Sequence, residues 1–171
     1  MHAFWALGAP THRLKRSQWV PGDIGPVFAF FEDPHNLERI TPSWMSFTIL
    51  SGSPQGMSEG AQITYRVAWM GVPMRWVTLI ETWEPRRRFV DTALVSPYVL
   101  WRHEHTFEEI GGGVMLADNV SYRLPFGGLG SAVHALVIRR QVEAIFDHRA
   151  RATADLMSGG VVLHAPAGAP P

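Results

Sequence analysis

Two histidines stand two residues apart in "WRHEHTFEEIGGG" (101–113), and an aspartate sits inside the following "VMLADNVSYRL" (114–124). These are the side chains of this chain best suited to chemistry. In an extended strand, successive side chains point to opposite faces. Trp101, His103, His105 and Phe107 therefore share one face, and Arg102, Glu104, Thr106 and Glu108 share the other. The imidazoles fall on the apolar face, where a core is expected. By the same parity Asp118 falls in with Val114, Leu116, Val120, Tyr122 and Leu124. If the turn closes with Phe107 opposite Val114, then His105 faces Leu116 and His103 faces Asp118, with cross-strand Cβ atoms about 5 Å apart. A hydrogen bond to Asp118 from His103, or from His105 after a small register shift, follows. Such a carboxylate orients the ring and raises its pKa, while burial lowers it.

Three readings compete for this cluster. The first is a buried polar network that fixes strand register and needs no ligand, because inward polar groups usually satisfy one another. The second is a set of polar anchors in an apolar pocket, holding a carbonyl, hydroxyl or carboxylate of a bound hydrophobic molecule. The third is catalysis or metal binding, with His103, His105 and Asp118 as the candidates. His-x-His on a strand places two imidazoles about 7 Å apart at Cα, and Asp118 completes three donors. The sequence offers no further convincing ligand and no known site motif, so it assigns no metal, no cofactor and no catalytic residue.

Other residues join the inward set. Tyr65 alternates with Ile63, Val67 and Trp69, which brings its hydroxyl either to a hollow or to the rim of a core. In "MRWVTLIETW" (74–83) both faces look mixed and the inner one is not assigned. Arg149 lies in the apolar stripe of a helix, where the plain expectation is a stem packed on core with its head paired to a carboxylate. "PRRRF" reads as a solvated turn. Gly127, Gly128 and Gly130 read as strand-to-helix geometry, since no P-loop pattern accompanies them.

The elements that must position these groups follow from period and punctuation. "THRLKRSQWV" reads as a first strand, and "GDIGPVFAFFEDPHNLERITP" as two short helices broken at Asp33-Pro34 and stopped before Pro42. From Ser46 the period becomes two, and six strands joined by short turns make an antiparallel meander. "LGSAVHALVIRRQVEAIFDHRARATADL" (129–156) reads as one long helix. Ala135, Ile138, Val142, Ile145, Phe146, Ala152 and Leu156 form its buried stripe. Leu129, Val133, Leu136 and Val137 make its early part apolar on the other face as well, a surface suited to a homo-oligomer contact.

The chain has 171 residues, enough for one domain with a real interior. Domain limits of 11–157 are expected, with loosely held ends at 1–10 and 158–171. Lys plus Arg equals Asp plus Glu at 15 each, so charge calls for no nucleic acid and no anionic membrane. With no cysteine, disulfides, thiolate nucleophiles and sulfur ligands are excluded. "MHAFWALGAP" lacks a signal-peptide pattern and no run is long enough to span a bilayer, so a soluble, cytoplasmic protein is expected.

The order of strand, two short helices, six-stranded meander and terminal helix resembles the START/Bet v 1-like (SRPBCC) superfamily, in its polyketide cyclase/dehydrase-type and ligand-binding branches. The phrases "FFEDPHNLERITP", "WRHEHTFEE", "LADNVSYRLPFG" and "LGSAVHALVIRRQVEAIFDHR" carry the resemblance across most of residues 12–157. It implies an α+β helix-grip fold, a curved antiparallel sheet of about seven strands around a long C-terminal helix. It also implies a small hydrophobic ligand (lipid, quinone or polyketide-like) between sheet and helix, with the chain acting as carrier or sensor. The alternative is a cyclase/dehydratase-type enzyme that uses a cavity His–Asp pair as general acid/base. The expected ligand-binding set is Tyr65, Trp69, Trp101, His103, His105, Asp118, Tyr122, Ile138 and Val142.

Overall fold

The structure is a computed structural model that describes residues 9–52, 56–125 and 137–159. Strand β1 (His12–Pro21) leads into helices α1 (Ile24–Glu32) and α2 (Asn36–Arg39) and a 3-10 turn at Ser43–Met45. Strands β2 (Thr48–Ser51), β3 (Gln62–Trp69), β4 (Val72–Glu84), β5 (Arg88–Val95), β6 (Leu100–Ile110) and β7 (Gly113–Arg123) follow, and α3 (Arg139–Ser158) ends the described chain. The strands form one sheet in the order β1-β7-β6-β5-β4-β3-β2. Consecutive strands from β2 to β7 pair antiparallel, and β1 adds antiparallel beside β7. The seven-stranded α+β helix-grip architecture stands as the sequence predicts.

Local chemistry sets the joints. Pro34 disfavours α conformation at the residue before it, and Asp33 accordingly sits extended at φ −87°, ψ 110°, ending α1. The β6–β7 hairpin turns on Gly111 and Gly112, both at positive φ (60° and 78°), as a type I′ turn demands. This turn pairs Ile110 with Gly113 and Phe107 with Leu116, so the register is displaced by two residues from the one expected. His105 stands opposite Asp118, and His103 opposite Val120. An even displacement leaves every side chain on its expected face.

The pairing of β4 with β5 shifts between Val77 and Thr78 and again between Ile80 and Thr82. Bulges of this kind bend a strand and increase its twist. The second one explains the mixed pattern of this strand. Trp76, Thr78 and Ile80 face the interior, after which Glu81 and Thr82 are passed over and Trp83 turns inward against Phe28 and Phe89, at ring separations of 5.2 and 5.4 Å.

The core divides in three, and one part, Phe47, Val67 and Trp76 with Tyr65, Tyr98 and Trp101, forms the aromatic side of the interior. Val20, Val27, Phe28, Ile80, Phe107, Val114 and Leu116 pack beneath α1. Leu14, Val120, Tyr122 and Leu124 pack against Ile138, which caps the start of α3, and Val142 and Phe146 of α3. The fully buried Thr153 belongs to the inner face of α3, whereas Leu156 is only half-buried. On the outer face Arg139 pairs with Glu143 at 3.0 Å, as the i,i+4 spacing suggests. Asp147 reaches across to Arg16 of β1 at 3.2 Å. Val137 is exposed, and the rest of the apolar early helix surface, with Leu129, Val133, Leu136 and the glycines at 127, 128 and 130, lies outside the described residues. So do residues 1–8 and 160–171 of the two ends. No helix among the described residues is long and apolar enough to cross a membrane.

Candidate functional site

Between the curved sheet, α1–α2 and α3 lies a cavity of about 160 Å³, far above the 10–15 Å³ that one water needs. Its wall is built from alternate residues of β3 to β6, from Phe30 and Phe31 of α1, and from Ile145, Phe146 and Arg149 of α3. One end is aromatic. Tyr98 lies 4.8 Å from Trp101, Trp76 meets Trp101 edge-on at 5.4 Å, and Phe47 lies 4.9 Å from Tyr65. The polar atoms here are paired: Trp69 Nε1–H donates to the Tyr98 hydroxyl at 3.3 Å and Trp76 Nε1–H to Thr78 Oγ1 at 3.2 Å. The Tyr65 hydroxyl shares a 2.8 Å hydrogen bond with Thr78, and burial raises its pKa well above the ordinary phenol value.

At the other end His103 and His105 stack, with ring centroids 3.7 Å apart. Phe89 lies flat on His105 at 4.1 Å, and Phe146 meets His103 edge-on at 5.2 Å, so four rings form a column from β5 through β6 to α3. Two carboxylates bridge the imidazoles. Asp118 Oδ1 lies 2.8 Å from His103 Nε2 and 3.2 Å from His105 Nδ1. Asp91 Oδ2 lies 3.1 Å from His105 Nε2 and 3.6 Å from His103 Nδ1. Asp91 is the cross-strand partner of His103, as Asp118 is of His105, and the shorter contact of each aspartate is the diagonal one.

The electrostatics follow from burial and neighbours. Burial pushes Asp118 up, but the hydrogen bonds from His103 and His105 and the charge of Arg149 outweigh it and hold the carboxyl well below its usual range. Asp91 is also lowered: burial opposes, and His105, His103 and Arg149 prevail. His103 is lowered, because burial and the neighbouring His105 outweigh the pull of Asp118 and Asp91. The site thus holds two ionised carboxylates against a ring that resists protonation.

Arg149 departs from the expected pairing. Its guanidinium makes no ion pair within 4 Å and no side-chain hydrogen bond among the described residues; Cζ lies 5.7 Å from the Phe31 ring centroid. It lines the cavity, and also a smaller one of about 20 Å³ beside His105 and Asp118.

Of the expected ligand-binding set, Tyr65, Trp69, Trp101, His103 and His105 line the main cavity. Asp118 sits one layer behind, against both imidazoles and on the smaller cavity. Tyr122, Ile138 and Val142 are placed elsewhere: they pack with one another and with Leu14 in the core under α3, so burial rather than cavity contact accounts for their apolar character. Sequence reasoning missed Asp91, Trp76, Thr78 and Tyr98. Asp91 had a signal, since it shares parity with Phe89 in "FVDTALV" just as Asp118 does with Leu116.

No family model matches the sequence, and no curated protein matches it. Solved structures do. Protein Ms6760 from Mycobacterium smegmatis superposes with a TM-score of 0.65 at 16% identity, covering 93% of this chain and 96% of that one. A START superfamily protein from Mycobacterium smegmatis gives 0.62 at 13% identity over 86% and 98%. Ara h 8.0201 gives 0.55 at 14% identity over 84% and 98%. TM-scores above 0.5 over most of both chains agree with the architecture derived above: the chain has the START/Bet v 1-like helix-grip fold.

Proposed function

We propose that this protein binds a small hydrophobic molecule, of lipid, quinone or polyketide-like character, in the cavity between sheet and α3, as a carrier or sensor. One observation carries the reading: an aromatic-walled cavity whose far end holds a cation, Arg149, with no carboxylate oxygen within 4 Å among the described residues. Pockets of this kind combine apolar walls with a few polar groups that fix orientation. A guanidinium left without a partner in such a place suits a carboxylate or other oxygen-rich head, which it can grip through paired N–H donors.

The test is a binding panel of fatty acids, their matched alcohols, quinones and aromatic polyketides, followed by quenching of the cavity tryptophans. Arg149→Gln should weaken binding of the acids by about 10- to 100-fold, the loss of a charge-assisted bond of about 1.5–3 kcal/mol, and leave the alcohols nearly unchanged. Val67→Trp, which fills the cavity, should abolish both. Failure of every member of the panel to bind would reject the reading.

A second reading is favoured by the 2.8 Å contact between His103 and Asp118. A histidine held by a carboxylate beside a cavity can act as general acid/base on a bound carbonyl compound, as in cyclases and dehydratases. His103→Gln and His105→Gln would then abolish turnover, whereas in a carrier they only shift affinity.

A further inference from the structure

We propose that Asp91, His103 and His105 form a binding site for a divalent first-row transition-metal ion at the polar end of the cavity. The inference goes beyond the binding of a hydrophobic molecule and does not depend on it. Each neutral imidazole has one N–H, yet each ring has a carboxylate oxygen beside both of its nitrogens. Whichever tautomers are chosen, two of these contacts set a nitrogen lone pair against an ionised oxygen.

The distances point to one solution. The Asp118 side has the shortest contact, and a single oxygen there reaches His103 Nε2 and His105 Nδ1. With both N–H groups directed to Asp118, the nitrogens left bare are His103 Nδ1 and His105 Nε2, and both face Asp91 Oδ2. A proton between them relieves one contact, whereas a metal ion relieves all. The donors of Asp91, His103 and His105 lie within 4.8 Å of one another. Asp91 Oδ2 stands 3.1 and 3.6 Å from the two nitrogens. A tetrahedral ion with bonds of about 2.0–2.1 Å requires donor separations of about 3.3–3.4 Å, so the two oxygen–nitrogen separations fit, while the wider spread of the set, up to 4.8 Å, requires the imidazoles to turn toward one another as the ion enters.

The surroundings are those of a metal centre. Histidine ligands commonly donate their far N–H to a carboxylate that fixes tautomer and ring orientation, and Asp118 stands in that relation to both rings. Phe89 and Phe146 clamp the stacked imidazoles from either side. Asp91 and His103 are cross-strand partners, so the donor frame is held by the β5–β6 ladder. Asp91, His103 and His105 all border the main cavity, which leaves further coordination positions to an oxygen of a bound molecule. Two imidazoles and one carboxylate suit zinc, iron, cobalt or nickel rather than magnesium or calcium. The Arg149 charge, which acts on both Asp91 and Asp118, opposes a cation here.

The experiment uses the full chain without an affinity tag, stripped with EDTA and titrated with Co²⁺ and then Zn²⁺ in the absence of any organic ligand. Saturable uptake of one equivalent is expected, with a cobalt ligand-field spectrum that zinc erases. Asp91→Asn and His105→Gln should remove that equivalent. Asp118→Asn should weaken it by about 10- to 100-fold, and Arg149→Gln should tighten it. In the wild-type chain, Co²⁺ should shift the ring resonances of His103, His105, Phe89 and Phe146 selectively, a readout that needs no variant to fold. Absence of saturable uptake, an unchanged affinity in Asp91→Asn, or paramagnetic shifts confined to other histidines would overturn the proposal. The lipid and quinone panel is read separately, so either idea can fail alone.

Discussion

Removing Asp118 tests the polar cluster most directly. Its carboxylate is the shared partner of two imidazoles whose side chains are only 5 and 6% exposed, and it is itself 21% exposed. Asp118→Ala leaves both rings facing a void on that side. A hydrogen bond to a charged group contributes about 1.5–3 kcal/mol, and removing the carboxylate leaves two buried imidazole nitrogens unsatisfied at about 1–3 kcal/mol each. Because the two bonds share one oxygen, we expect the lower total, about 3–5 kcal/mol, rather than the sum of separate terms. For a chain of this size that lowers Tm by about 6–20 °C. Asp118→Asn keeps one acceptor oxygen, so it should lose about half as much. The folded-state pKa of Asp118 is depressed, so its contribution is present above the unfolded value of about 3.9 and is lost as pH falls below it. The gap between wild type and Asp118→Ala should therefore narrow below about pH 4. The assay is urea and thermal unfolding in EDTA buffer across that range. Equal stability of the alanine and asparagine variants, or a Tm within about 2 °C of wild type, would show that the rings do not depend on this carboxylate.

Three further outcomes are expected. Burial raises the pKa of Tyr65 strongly, of Tyr98 up to about 12, and of Tyr122, and the chain has 3 tyrosines; the folded protein should show little tyrosinate absorbance where the urea-unfolded chain is half ionised, and stability should fall as pH rises past the unfolded value of about 10. Gly113→Ala would place a Cβ 2.4 Å from the Val20 carbonyl oxygen and 2.4 Å from the Trp19 ring, so the β1–β7 edge must move, and soluble yield and Tm should both drop sharply. Phe146→Ala removes a ring that is 4% exposed and closes the column over His103, and should cost about 3–5 kcal/mol in chemical denaturation.

How much of this could be read from the sequence depends on which rule each residue obeys. Parity alone placed His103, His105 and Asp118 on one face, and a two-residue error of register could not spoil that. The error itself has a physical source. Pairing Phe107 with Val114 would put Ile110 in the turn, where a β-branched side chain resists positive φ, whereas Gly111 and Gly112 accept it. Asp91 was visible to the same parity argument but looked like a lone acid in a strand, since only the β5–β6 register brings it to His103. The inner face of β4 was illegible for another reason: period-two reasoning assumes an unbroken ladder, and the bulge beside Ile80 breaks it. Arg149 followed the stripe of α3 correctly. Its lack of an acidic partner is a property of the assembled interior, to which helix periodicity is blind.

That bulge has a consequence for the length of the strand. With Ile80 and Trp83 both turned inward, the spacing between them is odd, and it is held by the extra residue at Glu81 or Thr82. A chain lacking one of these two would recover strict alternation, but would have to shift everything beyond the deletion by one place. Either Trp83 and the turn after it would keep their places and pull Ile80 and the strand before it one position along β5, or Ile80 would hold and Trp83 would be drawn off Phe28 and Phe89 together with the turn. Single-residue deletions here should thus be tolerated far less well than substitutions at the same positions.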